Sequence, residues 1–201
     1  IWKAIEQKRA GTGGAPTAIP GDVKLPEWAV LTHPSPPTDW PHFLCERIEP
    51  PLKYKSLVED VLLLKRLREV NALIGYTRVE APEETDDPDE RPPMADLCRG
   101  RPEWVPATDV HGEGIFLRFN ENEVQAWEAR DGVKGRDARL LAGHQGWRNA
   151  RRLDPNKGYP GIRYAMLHTF SHLLIRELAL ECGYSAASIR ERIYANSDSD
   201  N

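Results

Sequence analysis

Two histidines stand four residues apart in segment 164–195. Residues at positions i and i+4 share a helix face, so His168 and His172 have the spacing that lets two imidazoles bind one metal ion. The residues between them are Thr, Phe and Ser, without the glutamate of a zinc hydrolase, and no third ligand is evident nearby. The sequence therefore favours packing and hydrogen bonding of both histidines at a helix interface over a metal site or a metal-dependent nuclease.

The same segment has the outline of a helix-turn-helix. Ala179, Gly183 and Ile189 occur where that motif needs a small residue, a turn glycine and a buried apolar residue, and Ser185 is placed to cap a second helix. The residues that this second helix would present to DNA are Ser188, Arg190 and Arg192. Many helical hairpins that never touch DNA share this outline, so a helix-turn-helix transcription regulator is the alternative function.

A basic segment precedes these residues. From Arg130 to Arg163 the chain has nine Lys or Arg against three Asp, although its formal net charge is −4. Arginines beside a tryptophan can bind a phosphate backbone and stack on a base, but such clusters also pair with acidic loops. We predict that this segment contacts DNA, and the candidate residues are Arg136, Arg139, Trp147, Arg148, Arg151 and Arg152.

Enzymatic chemistry has little support in the sequence. The glycine-rich stretch 11–14 lacks the Lys-Ser/Thr pair of a nucleotide-binding P-loop, and there is no Gly-x-Ser-x-Gly nucleophile motif. Cys45, Cys98 and Cys182 are odd in number and far apart, unlike a disulfide framework or a zinc site. We therefore predict no catalytic residue and no cofactor within this chain.

The pattern of apolar and capping residues predicts the elements that would position these groups. Ser56 with Glu59 resembles a capping box before a helix over 57–73, and Ile115–Phe119 has the composition of a strand. Asn120 with Glu123 repeats the capping pattern before a short helix. The basic segment is predicted to hold one short helix, and Pro160 is placed at the first turn of a long final helix.

The overall composition predicts an α+β fold, mainly helical with a small sheet and long Pro-rich extended segments. Nine prolines fall within residues 1–51, so an extended arm that wraps another surface is expected there. No apolar run approaches the roughly 20 residues that cross a bilayer, and the start lacks the apolar core of a signal peptide. We expect a cytoplasmic protein without a membrane partner, and a fragment of a larger protein.

Three blocks of sequence resemble a known family. The stretch "LHTFSHLLIRELALECGYSAASIRERIY" is similar to the start of the zinc-linked domain appended to bacterial helicases of the MrfA type. The blocks "LREVNALIGYTRV" and "WVPATDVHGEGIFLRF" resemble more narrowly the DrmB family, the partner of the DrmA helicase in the bacterial DISARM anti-phage system. The blocks lie at 67–79, 104–119 and 167–194, in the family's order.

The resemblance implies a non-catalytic subunit that binds a DrmA-type DNA helicase and supports its ATP-driven engagement of DNA, with DNA bound through the complex. It also implies zinc in the full-length protein, held by a cysteine cluster that these residues lack. Two parts are expected. They are a Pro-rich wrapping arm at 1–55 and a helical helicase-associated domain at 56–201, incomplete at its C-terminus and with an acidic loop at 80–93.

Overall fold

The computed structural model describes residues 24–37, 39–73, 75–77, 95, 97–98, 100 and 103–195 of the 201-residue chain. Its helices are α1 (Lys24–Leu31), α2 (Glu121–Glu128), α3 (Asp131–Ala150) and α4 (Gly161–Cys182). Its strands are β1 (Phe43–Ile48), β2 (Val58–Ala72) and β3 (Ala107–Phe119). They form one antiparallel sheet in the order β1-β2-β3, so the predicted α+β class with a small sheet is confirmed.

The central strand β2 corrects the prediction of a helix over 57–73. Val61 and Leu62 are 5% and 0% exposed, and neighbouring residues of a strand point to opposite faces, so both faces of β2 are covered here. An apolar run buried on both faces loses the alternation that normally marks a strand, and its spacing then resembles that of a helix. Glu59 is not part of a capping box but accepts a hydrogen bond from Arg118 of β3, at 2.8 Å.

The core lies against the sheet and is closed by α1. Leu31, Leu62 and Phe116 form its buried centre. Trp28 packs on Phe116 and on Tyr194, with ring centroids 5.9 and 5.7 Å apart. The extended arm predicted over 1–55 is therefore wrong for Lys24–Leu31, which form a helix packed on the chain's own sheet.

The structure describes only part of the predicted Pro-rich arm and none of the predicted acidic loop. The described residues of 32–42 contain no helix or strand, as their prolines predict. Residues 1–23 of the predicted arm and the predicted acidic loop 80–93 lie outside the described residues.

The helix α2 begins where the capping pattern predicts. The side chain of Asn120 accepts hydrogen bonds from the backbone N–H groups of Asn122 at 3.0 Å and Glu123 at 3.4 Å. The 20-residue α3 is much longer than the short helix predicted for the basic segment. Its four glycines lowered the predicted helix length, since glycine costs about 1 kcal/mol relative to alanine in a helix.

The final helix α4 begins directly after Pro160, as predicted, and ends at Gly183. Gly183 has a φ of 73°, the left-handed conformation that glycine adopts at low cost, and its N–H donates to the carbonyl of Ala179 at 3.1 Å. After a 3₁₀ turn at Ala186–Ser188, residues 189–195 have no regular helix or strand. The prediction of a second helix, as in a helix-turn-helix, is therefore wrong.

The reason for the missing second helix lies in the contacts of these residues. Tyr194 joins the aromatic core, and its hydroxyl donates to Glu27 of α1 at 2.9 Å. Arg190 pairs with Glu69 of β2 at 3.1 Å. The extended chain lets these two side chains contact two different elements, α1 and β2. These tertiary contacts override the local helical pattern.

The three cysteines, Cys45, Cys98 and Cys182, are all free thiols, with no disulfide between them. Burial raises the pKa of the Cys45 thiol above its usual value. Among the described residues, no helix is both long enough and apolar enough to cross a bilayer.

Candidate functional site

The predicted DNA-contact residues fall on α3 and on the turn after it. Arg136 and Trp147 are eleven residues apart, which is about three turns at 3.6 residues per turn, so both lie on one side of α3. Arg139 and Arg151 lie beside that line, within one turn of Arg136 and Trp147 respectively. All four side chains are exposed, and we call them the α3 basic face.

The ring of Trp147 is already in contact with a cation. The guanidinium carbon of Arg151 lies 4.1 Å from the ring centroid, a cation–π distance. His144 stacks near the same ring, with centroids 6.1 Å apart and planes inclined by 25°. The indole is therefore held between neighbours, so phosphate binding by Arg151 fits this geometry better than stacking of a base on Trp147.

The structure places Arg148 apart from the other predicted DNA-contact residues. Its side chain is only 3% exposed, and its Nε donates to the carbonyl of Asp154. Its own carbonyl accepts from the N–H of Leu153 at 3.0 Å. Arg148 therefore holds the turn that follows α3 and does not lie on the α3 basic face.

The turn also explains which side of α3 is covered. Asp137, His144 and Arg148 recur at spacings of seven and four residues and so share one side of the helix. Tyr159 donates to Asp137 at 2.6 Å, and His144 Nε2 lies 2.9 Å from the carbonyl of Lys157. Burial and the Asp137 carboxylate raise the pKa of Tyr159 to about 12. The returning chain thus covers this side and leaves the α3 basic face open.

Other parts of α3 and its end are open as well. A Cβ added at Gly132, Gly135, Gly143 or Gly146 would meet no atom within 4 Å. Arg152 has a φ of 61°, in the left-handed region that non-glycine residues seldom occupy, and its side chain is exposed. The turn therefore presents Arg152 at the end of the α3 basic face.

The structure brings the two histidines together with a third group that the sequence pattern missed. Glu191 Oε1 lies 2.7 Å from Nδ1 of His168 and 3.8 Å from Nε2 of His172. One ligand atom from each of the three side chains lies within 4.8 Å of the others. Glu191 follows His172 by nineteen residues. No spacing rule indicates that contact, because it depends on the unpredicted extended course of 189–195.

Neighbouring side chains surround this histidine cluster. Tyr164 stacks on His168, with ring centroids 5.8 Å apart and planes inclined by 11°. The rings of His168 and His172 meet edge to face at 4.4 Å. The hydroxyl of Ser171 contacts Oε2 of Glu191. Both carboxylate oxygens of Glu191 are therefore in contact with α4.

The residues predicted as a DNA-reading helix have other partners. Ser188 donates to the carbonyl of Ser185 at 2.7 Å. Arg190 pairs with Glu69, and Arg192 pairs with Glu27 at 2.8 Å. Arg190 and Arg192 thus pair with acids of different elements, and they do not lie on the recognition helix that the sequence outline predicted.

An apolar groove separates α4 from the sheet. Its volume is about 1050 Å³. Phe170 of α4 meets Phe119 of β3 edge to face, with centroids 5.2 Å apart. No residue of α4 is fully buried, and Leu173 and Leu180 are 57% and 68% exposed. The helix therefore contacts the sheet through part of its surface and leaves much of its apolar side uncovered.

These features define a class of protein. They are those of an α+β module with an open basic face and an uncovered apolar surface, and surfaces of these two kinds are suited to association. The chain is DrmB-like. It is 34% identical over 148 residues, 72% of its length, to the DISARM protein DrmB of Bacillus paralicheniformis (strain ATCC 9945a / NCIMB 11709 / CD-2).

The similarity confirms the resemblance to DrmB that the sequence blocks indicated. The aligned part is 26% of the length of that relative. No family model matches the chain. The finer resemblance to the MrfA-type helicase domain stays a prediction.

Proposed function

We propose that this chain is part of a DISARM subunit in bacterial anti-phage defence, where it binds a DrmA-type DNA helicase and supports the helicase's ATP-driven engagement of DNA. The similarity to DrmB is the observation that carries this proposal. The subunit's role is non-catalytic, because the two surfaces that support the proposal, the α3 basic face and the apolar side of α4, are suited to binding. Zinc held by a cysteine cluster elsewhere in the full-length protein remains a prediction of the MrfA resemblance.

The uncovered apolar surface supports association with a large partner. Leu173 and Leu180 are two helical turns apart on α4 and are both more than half exposed. Trp104 and Leu52 are exposed by 77% and 89% on other parts of the chain. Large apolar side chains in such number favour burial against another surface, since each square ångström removed from water contributes about 25 cal/mol.

The α3 basic face supports contact with DNA. Its arginines are exposed on one side of a rigid helix, and the turn held by Arg148 adds Arg152 at the helix end. Such a surface binds phosphates without reading sequence, which suits a subunit that assists a helicase on varied DNA. Residues 189–195 do not form the second helix that a free-standing helix-turn-helix regulator needs.

Co-purification tests the helicase partner. The intact protein and a DrmA-type helicase are co-expressed with the tag on the helicase alone. The expected result is a stoichiometric complex that survives gel filtration, and two separate peaks would contradict the proposal. A Leu173→Glu, Leu180→Glu double variant should elute less completely with the helicase if α4 contributes to the contact, while Leu25→Glu, at a leucine of α1 that is 51% exposed, is the control variant for a different part of the surface.

Charge reversal tests the DNA surface within that complex. Arg136, Arg139, Arg151 and Arg152 are replaced together by Glu, and DNA affinity is measured from 50 to 200 mM salt. Each lost phosphate contact should reduce the slope of log affinity against log salt by about 0.9 on duplex DNA. The matched control replaces four exposed cations of the sheet side with Glu, namely Lys53, Lys55, Lys65 and Arg66. Equal slopes for the two variants would remove the α3 basic face from DNA binding.

A further inference from the structure

We propose that His168, His172 and Glu191 form a binding site for one divalent metal ion of the zinc class, and that the ion fixes segment 189–195 to α4. This inference does not depend on the proposed helicase partner. It departs from the prediction that His168 and His172 pack at a helix interface and bind no metal ion, because that prediction rested in part on the lack of a third ligand nearby.

The donor set suits zinc. Two imidazole nitrogens and one carboxylate oxygen are ligands that Zn²⁺ takes in proteins, at about 2.0–2.2 Å from the ion. At that distance, tetrahedral ligand atoms lie roughly 3.3 Å from one another. The nitrogens of His168 and His172 lie 2.7 and 3.8 Å from one oxygen of Glu191, on either side of that value. Small side-chain rotations would therefore bring all three donors to one ion.

A simple ion pair does not account for the contact between His168 and Glu191. The Nδ1 atom of His168 is enclosed, and although it is 2.7 Å from Oε1, the pair does not meet the angular requirement of a hydrogen bond. A buried polar atom without a partner is unfavourable, because it has lost its hydrogen bonds to water. Coordination of Nδ1 to a cation would satisfy it, because a metal is bound by the nitrogen lone pair and requires no donated proton.

Neighbouring groups hold the ligands in place as they do in metal sites. The Ser171 hydroxyl contacts the other oxygen of Glu191 and also lies 2.8 Å from the carbonyl of His168. Tyr164 stacks on the His168 ring and restricts its rotation. Interactions of this kind orient ligands and commonly change metal affinity by 10- to 100-fold.

The position of the site suggests what the ion does. Glu191 lies in a segment without helix or strand, and Tyr194 of that segment belongs to the aromatic core on the sheet. On the other side, α4 has no fully buried residue to attach it firmly. A metal bound by two groups of α4 and one of the segment would link α4 to the core. Three protein ligands leave a fourth position for water or for a group of a partner.

Metal titration of the intact protein tests the site. The protein is stripped with a chelator and titrated with Zn²⁺ against a competing indicator, and Co²⁺ spectra are recorded in parallel. The wild type should bind one more equivalent than His172→Ala or Glu191→Gln. The His172 side chain is 62% exposed, so its truncation should leave the fold intact, which far-UV circular dichroism checks. His33→Ala removes an exposed histidine away from the cluster and should bind as the wild type does.

The spectra separate this site from any cysteine-bound zinc. The Co²⁺ difference spectrum of wild type minus His172→Ala should contain visible d–d bands and no thiolate charge-transfer band, since the ligands are nitrogen and oxygen. Zinc should also raise the melting temperature of the wild type more than that of either variant. Equal zinc stoichiometry and equal melting shifts for wild type, His172→Ala and Glu191→Gln would overturn the proposal and leave the cluster as an uncoordinated histidine–glutamate contact.

Discussion

The sheet and the helical layer of this chain are stabilised in different ways. On the sheet side, Leu31, Leu62 and Phe116 are buried together and aromatic rings close around them. In the helical layer, which α2, α3 and α4 form, Val124 and Arg148 are the buried residues among those that the structure describes, at 9% and 3% exposed, and α4 has none. Two of these helices, α2 and α4, are connected by the ion pairs that Arg163 makes with Glu121 and Glu128.

This difference separates a part of the chain that has its own buried apolar core from a part that does not. A core of apolar side chains needs no further partner, whereas a helix with exposed leucines gains from being covered. In both proposals the sheet side serves as the scaffold, and the helical layer carries the surfaces that bind. Both proposals, the DNA-contacting face on α3 and the metal site on α4, fall in the helical layer.

The largest expected effect is on the scaffold. Leu62→Ala should lower the free energy of unfolding by about 3 kcal/mol, because Leu62 is fully buried and its truncation leaves a cavity. Leu173→Ala, the same change on exposed α4, should shift it by less than about 0.5 kcal/mol. Urea denaturation measures both. Similar losses for the two variants would show that α4 is packed as firmly as β2. That result would contradict the difference in packing between the sheet side and the helical layer.

The next effect concerns the ionic link between helices. Arg163 of α4 donates to Glu128 at 2.9 Å and to Glu121 at 2.8 Å, and these hydrogen bonds raise its pKa above the usual arginine value. Arg163→Met should cost about 2 kcal/mol, less than a fully buried pair because both carboxylates are partly exposed. Hydrogen exchange should show the loss in α2 and α4, with little change in β2. A uniform loss of protection would instead mean that the sheet depends on this link.

A smaller effect is expected at the boundary between the two layers. Asn120 follows β3 directly and caps α2, so Asn120→Ala should destabilise the protein by about 1 kcal/mol. Asn120→Asp, which retains an accepting oxygen, should cost much less. Thermal unfolding of the two variants compares them, and equal losses would mean that the cap hydrogen bonds contribute nothing.

The smallest effect should have the opposite sign. Gly143→Ala should stabilise the isolated protein by roughly 0.5–1 kcal/mol, because alanine favours the helix and its Cβ meets no atom within 4 Å. Destabilisation would show that this side of α3 is already covered. In the complex, weaker DNA or helicase binding by the same variant would place a partner close to the α3 backbone.

The sequence predicts elements whose signals are local. The cap at Asn120, the strand at Ile115–Phe119 and the helix start after Pro160 each depend on a few adjacent residues, and all three are confirmed. The strand β2 was missed because its burial depends on residues distant in sequence, such as Leu31 of α1 and Phe116 of β3, which cluster with Leu62. The histidine cluster was incomplete for the same reason, since Glu191 reaches α4 only through the extended course of 189–195.

The burial of Arg148 was also beyond local reasoning. Its neighbours Arg151 and Arg152 are residues of the same type. Arg148 is buried and they are exposed, because the returning chain covers the side of α3 on which Arg148 lies. An arginine cluster in a sequence therefore predicts a basic surface but does not identify which of its members are available to a ligand.

The ATPase rate of a DrmA-type helicase with DNA tests the central claim most directly. It is measured with the helicase alone, with the intact wild-type protein, and with the protein carrying Glu at Arg136, Arg139, Arg151 and Arg152. We predict that the wild type lowers the DNA concentration needed for half-maximal ATPase, and that the charge-reversed protein still binds the helicase but loses this effect. An ATPase rate and DNA requirement that the wild-type protein leaves unchanged would contradict the account.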